Sequence, residues 1–314
     1  GLINIITKTP SYDTQGQVMF GYGNYETVEA SFYGSTGLTD NVAADLSVRY
    51  TDRNKGFGRN VNLDTPIGFN NEFSARSKWL FEPSESTKIT IAGEYSDIKT
   101  DFGMTTQLAP GVIGFDGVTT RAGSQDITPN LNPYSTSETW AIMGRIDQDI
   151  GFANLVSMTQ WRDNKTYYQK DVDGIPVNFG MAMQDEYTRY FTQELQLQSQ
   201  AGSAIQWVVG GFYLKGDGGV NPLIVGGSQF APAGILNQNR VGNVDSESYA
   251  GFAQATFPII DDLNLTVGGR YTHDKKVLTG RIVSNFISGA SVTTAGPVRE
   301  ELTSSKFTYR VALD

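Results

Sequence analysis

Apolar and polar positions alternate along most of this chain in segments of roughly 10 to 13 residues. That is the period of a strand whose two faces meet different surroundings. In 42–53, Val42, Ala44, Leu46, Val48 and Tyr50 oppose Ala43, Asp45, Ser47, Arg49, Thr51 and Arg53. In 71–82, Phe73, Ala75, Ser77, Trp79 and Phe81 oppose Ser74, Arg76, Lys78, Leu80 and Glu82. Segments 88–97, 138–149, 248–257, 263–272 and 306–313 repeat the pattern, and it weakens in 153–164 and 207–214. Counted from Gln15, about twelve strands are predicted.

The connections between them alternate in length. Short ones fall at 39–41, 83–86, 150–152, 201–204 and 258–262, and long ones at 54–70, 99–135, 166–184, 217–245 and 276–303. The first hairpin, Gly23-Asn24-Tyr25, is the one short connection where a long one fits the sequence of alternation. Short turns at one end and long loops at the other are the mark of an outer-membrane-type transmembrane barrel, whose strands also carry interfacial aromatics. Tyr22, Tyr50, Tyr95, Trp161, Tyr167, Tyr168, Tyr213, Tyr249 and Tyr271 all lie near predicted strand ends. The predicted fold class is all-β, a transmembrane antiparallel β-barrel.

Composition removes most alternatives. Aromatics make up 11% and Gly counts 35, while no apolar run approaches the roughly 18 residues of a membrane-spanning helix. With no Cys and a single His, thiolate chemistry, zinc sites and a Ser-His-Asp triad drop out. A net charge of −9 argues against nucleic-acid binding, which needs a basic face. Asp171-Val172-Asp173-Gly174 resembles the start of a calcium loop, but the later ligands and the terminal Glu do not follow.

The opening run Gly1-Leu2-Ile3-Asn4-Ile5-Ile6-Thr7-Lys8-Thr9-Pro10 resembles the closing strand of the plug in TonB-dependent receptors. Gly21-Tyr22-Gly23-Asn24-Tyr25-Glu26 and Gly268-Gly269-Arg270-Tyr271-Thr272 look like barrel segments of that family, and 307–314 like a mid-barrel strand. The resemblance covers essentially the whole chain. It implies residues 1–10 as the end of the plug and its linker, and 11–314 as the N-terminal part of a barrel of about 22 strands. Both ends of the chain read as cuts, with the plug and the TonB box expected before Gly1. A barrel open at two edges is not expected to fold stably alone.

For function, the resemblance implies an outer-membrane receptor of a Gram-negative bacterium, taking up a scarce nutrient with energy from the TonB complex. Ferric siderophores lead, with saccharide or cobalamin as variants. The expected partners are outer-membrane lipid, TonB through the plug region and the small ligand, with no cofactor and no covalent chemistry. Candidate ligand contacts are Arg49, Arg76, Arg145 and Arg270, read as lumen-facing and able to guide an anionic chelate, or else paired with Asp45, Glu94 and Asp147. Trp161, Tyr167 and Tyr168 are read either as stacking surfaces for a ligand ring or as girdle residues. Loop 217–245 is read as a mobile loop, with closure over a ligand as the alternative. A passive porin, a barrel enzyme and a soluble β-domain are the rival classes; an upstream plug and TonB box would separate the receptor from all three.

Overall fold

The computed structural model describes residues 7–314 apart from Phe102 and Asp262. Most of the expected plug strand, 1–6, therefore lies outside the described residues. Fourteen strands follow: β1 (Gln15–Gly23), β2 (Thr27–Thr39), β3 (Val42–Arg53), β4 (Gly58–Asn60), β5 (Thr65–Ile67), β6 (Asn70–Ser84) and β7 (Thr87–Thr100). Then come β8 (Tyr134–Asp149), β9 (Ala153–Asp171), β10 (Met181–Ser199), β11 (Gln206–Gly226), β12 (Ile235–Ile260), β13 (Leu263–Phe286) and β14 (Ser291–Leu313). Twelve of them form one antiparallel meander in chain order, while β4 and β5 make a separate hairpin inside a loop. Neighbours in sequence are neighbours in the sheet because each short turn leaves an antiparallel partner within reach.

Register joins the predicted faces into two continuous surfaces. Leu46 opposes Ser77, Ser77 opposes Gly93, and Gly93 opposes Ile142, which in turn opposes Trp161 and then Phe191. This face is exposed and apolar, with Phe20, Phe32, Leu46, Trp79, Ile91, Trp140, Ile142, Leu195, Val209 and Val267 all open. On the other face Ala43, Asp45, Leu80, Ala92, Thr139, Ala141 and Val156 are buried, although no second layer covers the sheet. A single curved sheet does this when side chains crowd on its concave side and splay on its convex side. The concave face is the lumen and the convex face is the outer wall. An apolar wall of this extent exceeds what a soluble surface tolerates. Among the described residues no helix is long and apolar enough to cross a membrane, so the crossing elements are strands.

Alternation fails in 207–214 for a reason the register makes plain. Trp207, Val209 and Tyr213 face outward, while Val208, Phe212 and Leu214 face the lumen, so both faces are apolar there. In 153–164 the outer face carries Ser157 and Thr159 and the lumen face Val156 and Met158, which inverts the expected polarity at mid-strand.

Three predicted loops are corrected. Segments 217–245 and 276–303 are mostly continuous hairpin, with only 227–234 and 287–290 outside the strands. Likewise 166–184 shrinks to 172–180. At about 3.3 Å per residue, the 26 residues of β12 span roughly 85 Å, far more than a bilayer. Above the membrane both faces meet water, so the apolar–polar signal vanishes while the hydrogen-bonded ladder continues. The two prolines there, Pro222 and Pro297, sit where the register shifts between Val220 and Leu223 and across Gly280–Ile282. A residue without an N–H is accommodated at such irregularities.

Candidate functional site

The outer face changes character at one level. Tyr95, Trp140, Trp161, Phe191, Tyr213 and Tyr249 form a row across β7 to β12. One step toward the long loops, the same face carries Asp97, Glu138, Asp163, Arg189, Lys215, Glu247 and Lys275. Neighbours in this belt pair across strands, Arg189 with Asp163 at 3.2 Å and Lys275 with Glu301 at 2.8 Å. An aromatic girdle capped by ion pairs marks the boundary between hydrocarbon and water on the long-loop side.

The lumen face holds the candidate chemistry. All four predicted arginines stand on it, in different electrostatic states. The Arg76 guanidinium lies 3.1 Å from Glu94. Arg145 grips Asp147 with two hydrogen bonds of 2.7 and 2.6 Å. Among the described residues Arg270 meets no carboxylate; its guanidinium lies 5.6 Å from both the Phe212 and Phe252 rings, and its Nε donates to Thr272 Oγ1. Gly210 opposes Phe252 across the ladder, and any side chain there would meet the Phe252 ring and the Leu195 carbonyl. The glycine therefore makes the bed in which the ring lies. Arg49 sits between Ser31 and Ser74 with no side-chain partner among the described residues.

The aromatic candidates separate. Trp161 lies in the girdle between Ile142 and Phe191, facing outward. Tyr167 is on the same outer face, beyond the charged belt, bonded to Gln169 Oε1 and packed near Tyr134. Tyr168 points to the other side and donates to Gln184 Oε1 at 2.8 Å. Neither Trp161 nor Tyr167 faces the lumen.

Several lumen residues were missed by sequence reading. A recess of ≈500 Å³ is lined by Arg76, Lys78, Arg145, Met143, Met158, Glu194 and Phe212 among others. Its thioethers and aromatic ring were hidden by the alternation rule, which expects polar lumen positions. For Met158 and Phe212 the signal was the failure of that rule in 153–164 and 207–214, whereas Met143 lies in 138–149, where the pattern holds and gave none. Lys78 has a second task, donating from Nζ to the carbonyls of Thr7 (3.2 Å) and Lys8 (2.6 Å). With Tyr12 bonded to Glu82 and Ser11 to Ser35, segment 7–14 is tied to the wall at the short-turn end.

At the other end the long loops interlock. Loop 54–69 and loop 101–133 join through Val61 N to Ile127 O and Ile127 N to Arg59 O, both 2.9 Å. The fully buried Asn60 side chain donates to Pro129 O and Asn132 Oδ1. Buried Asp101 accepts Gly68 N at 2.7 Å, and burial pushes its carboxyl above the usual range. Loop 172–180 then joins 101–133 through Thr128 Oγ1 to Gly174 O, and joins 227–234 through Ser228 N to Asn178 O. The result is a continuous rim. Among the described residues no group of three or more His, Cys, Asp or Glu side chains could hold a metal ion.

A one-layer antiparallel wall with an apolar band, a girdle and one-sided loops defines an outer-membrane β-barrel. The chain belongs to the family described as TonB dependent receptor-like, beta-barrel, which it matches over residues 7–314, and which is a family of outer-membrane transport receptors of Gram-negative bacteria. Its fold resembles the ferric yersiniabactin uptake receptor FyuA from Yersinia pestis, with TM-score 0.72 at 13% identity over 98% of this chain and 45% of that one. It also resembles the open form of the ferric-catecholate import receptor Fiu from E. coli K12, with TM-score 0.70, 15% identity and coverage of 97% and 52%. The siderophore receptor PiuA from Acinetobacter baumannii gives TM-score 0.70, 14% identity and coverage of 98% and 48%. The chain thus spans about half the length of these structures.

Proposed function

We propose that this chain supplies part of the lumen wall and extracellular rim of a receptor for TonB-energised uptake of a scarce nutrient, most plainly a ferric siderophore or related iron chelate. The observation that carries the reading is the recess where three cations, Arg76, Lys78 and Arg145, and one carboxylate, Glu194, adjoin Met143, Met158 and Phe212. Such a surface suits an anionic chelate with an apolar or aromatic body, because charge steers it and the soft wall accepts its rings. The similar structures are an uptake receptor, an import receptor and a siderophore receptor, which supports the same class of cargo. Arg49, Arg76, Arg145 and Arg270 are the assigned lumen contacts, with Tyr168 beside the rim. Trp161 and Tyr167 have no part in the proposed site because they face outward. Residues 1–10 are assigned as the end of the plug and its linker, and 11–314 as the N-terminal part of the barrel.

The test uses the full-length receptor in a deletion strain and its complemented twin, measuring uptake of labelled ferric siderophores with and without a proton uncoupler. Gene-dependent uptake that collapses with the uncoupler is expected. Gene-dependent uptake that ignores the uncoupler would make the protein a passive pore. Loss of gene dependence would remove iron chelates and bring saccharides and cobalamin forward. In the first case Arg145→Met lowers chelate affinity roughly tenfold, the scale of one charge-assisted hydrogen bond.

A further inference from the structure

The middle link of the rim is built on two adjacent buried carboxyls. Asp171 closes β9 and is 2% exposed, and Asp173 is 7% exposed. Both lie beyond the outer-face charged belt at Asp163, on the water side of the girdle. Asp171 Oδ1 accepts the N–H groups of Asp173 (3.0 Å) and Gly174 (2.6 Å). Asp173 accepts Ile175 N on one oxygen and Gly180 N on the other, which draws loop 172–180 closed. Three of the four carboxyl oxygens are therefore satisfied by backbone donors. The fourth, Asp171 Oδ2, is buried and has no partner. The Asp173 carboxyl lies against Asp171, close enough for a hydrogen bond once one of the two carries a proton.

Among the described residues no cation acts on either carboxyl. The loop packed below, 101–133, brings Asp116, whose field falls on Asp173 and whose own carboxyl is held as an anion by Thr119 and Val118. In the same loop Arg121 is spent on the carbonyls of Gly123 and Ser124, and Asp126 on Arg59 N. The flanking tip 227–234 holds no charged residue, and Lys170 points to the opposite face of β9 from Asp171. A metal is a poor occupant, because backbone N–H groups already occupy three of the four oxygens and a cation needs those lone pairs. A proton needs only the one that is free.

We propose that Asp171 and Asp173 form a proton-operated clasp that tightens the extracellular rim in mildly acidic surroundings and loosens it at neutral and alkaline pH. When one proton is shared, Oδ2 is satisfied and the two carboxyls attract. When both ionise, two buried anions face each other and Asp116. The loop they close is bonded to both neighbours, through Thr106 Oγ1 to Asp171 O and Thr128 Oγ1 to Gly174 O on one side, and through Ser228 N and Gln229 N on the other. Ile175, fully buried, sits over Gly114, where a Cβ would meet its methyl group. Release of the clasp therefore reaches three loops at once.

Burial first, and then the neighbouring anion, raises the Asp171 carboxyl to about 6. The sign follows. A folded-state value above the unfolded one means the closed loop holds more protons, so its stability falls as pH rises through that range. The clasp is a property of the rim and does not depend on the cargo, so the test carries no ligand and its failure leaves the uptake reading untouched.

Hydrogen–deuterium exchange of the full-length receptor, read on peptides spanning 172–180 and corrected for intrinsic exchange rates, decides it. Protection in the wild type should fall about tenfold or more between about pH 4.5 and about pH 7.5. Asp171→Asn keeps the acceptor oxygen and supplies a permanent donor to Asp173, so its protection at the higher pH should match the wild type at the lower. Asp173→Asn serves as a second variant: it replaces one of the two oxygens that accept Ile175 N and Gly180 N with a donor, so it should flatten the profile at the low protection of the loosened loop. A wild-type profile that is flat overturns the clasp, as does a pH dependence that survives in both variants.

Discussion

At the residue scale, the lumen shows how a charge is held ready without a counter-charge. Arg76 and Arg145 are partly neutralised by Glu94 and Asp147, so a chelate must compete for them or share them. Arg270 instead lies between two phenyl faces, which attract a guanidinium without using up its hydrogen-bond donors. That arrangement depends on Gly210, because only a missing side chain lets Phe252 lie flat against β11. Gly210→Val is expected to displace the ring and destabilise the receptor by about 1–3 kcal/mol, as overpacking does. A lower denaturant midpoint for Gly210→Val, with Gly211→Ala close to wild type, is the outcome to look for. Gly211 is a fair control, since the nearest atom to a Cβ there is 3.8 Å away.

At the element scale, the hairpins β11–β12 and β13–β14 rise well above the girdle before they turn. Their upper parts are held by ladder hydrogen bonds, including the pairing of Val225 with Gln238 and of Val283 with Thr293, and by cross-strand side-chain bonds such as Asn285 Nδ2 to Asn237 Oδ1 and Gln238 Nε2 to Ser284 Oγ. Slow exchange is therefore expected for amides in 220–226 and 237–243, within the segment that composition reads as loop. Exchange there as fast as in 227–234 would mean the hairpins open in solution. Tightly paired hairpins also limit how the rim can move, because a rise of the tip at 227–234 must bend two strands rather than swing a free loop.

At the scale of the whole molecule, the assignment of inside and outside makes a sharp contrast between adjacent residues. Ile142 faces the apolar wall and is 58% exposed, while Met143 lines the lumen recess. Ile142→Lys is expected to cost roughly 2 kcal/mol and to reduce the heat-resistant folded band on a gel, since a lysine on the lipid face must leave hydrocarbon or carry its charge into it. Met143→Lys places the same charge in the lumen, and its folded fraction should stay near that of the wild type. Equal loss in both variants would refute the facing.

The strands of the main sheet and, outside 153–164 and 207–214, their facing were legible in the chain itself, because a membrane barrel writes its two solvents into alternate residues. Val42 to Tyr50 and Leu263 to Tyr271 could be turned only one way, and the short turns at 39–41 and 150–152 bound each hairpin. The same logic explains what sequence reading could not reach. Above the girdle there is one solvent, so nothing in 217–245 or 276–303 distinguished a prolonged ladder from a loop; cross-strand pairing decided it. Lumen patches such as Phe212 with Phe252, and the joining of Asp171, Asp173 and Thr106 into one rim, bring together residues far apart in the chain or aligned only by register. Alternation tells a side chain which solvent it faces, and only the folded sheet tells it which neighbours it meets there.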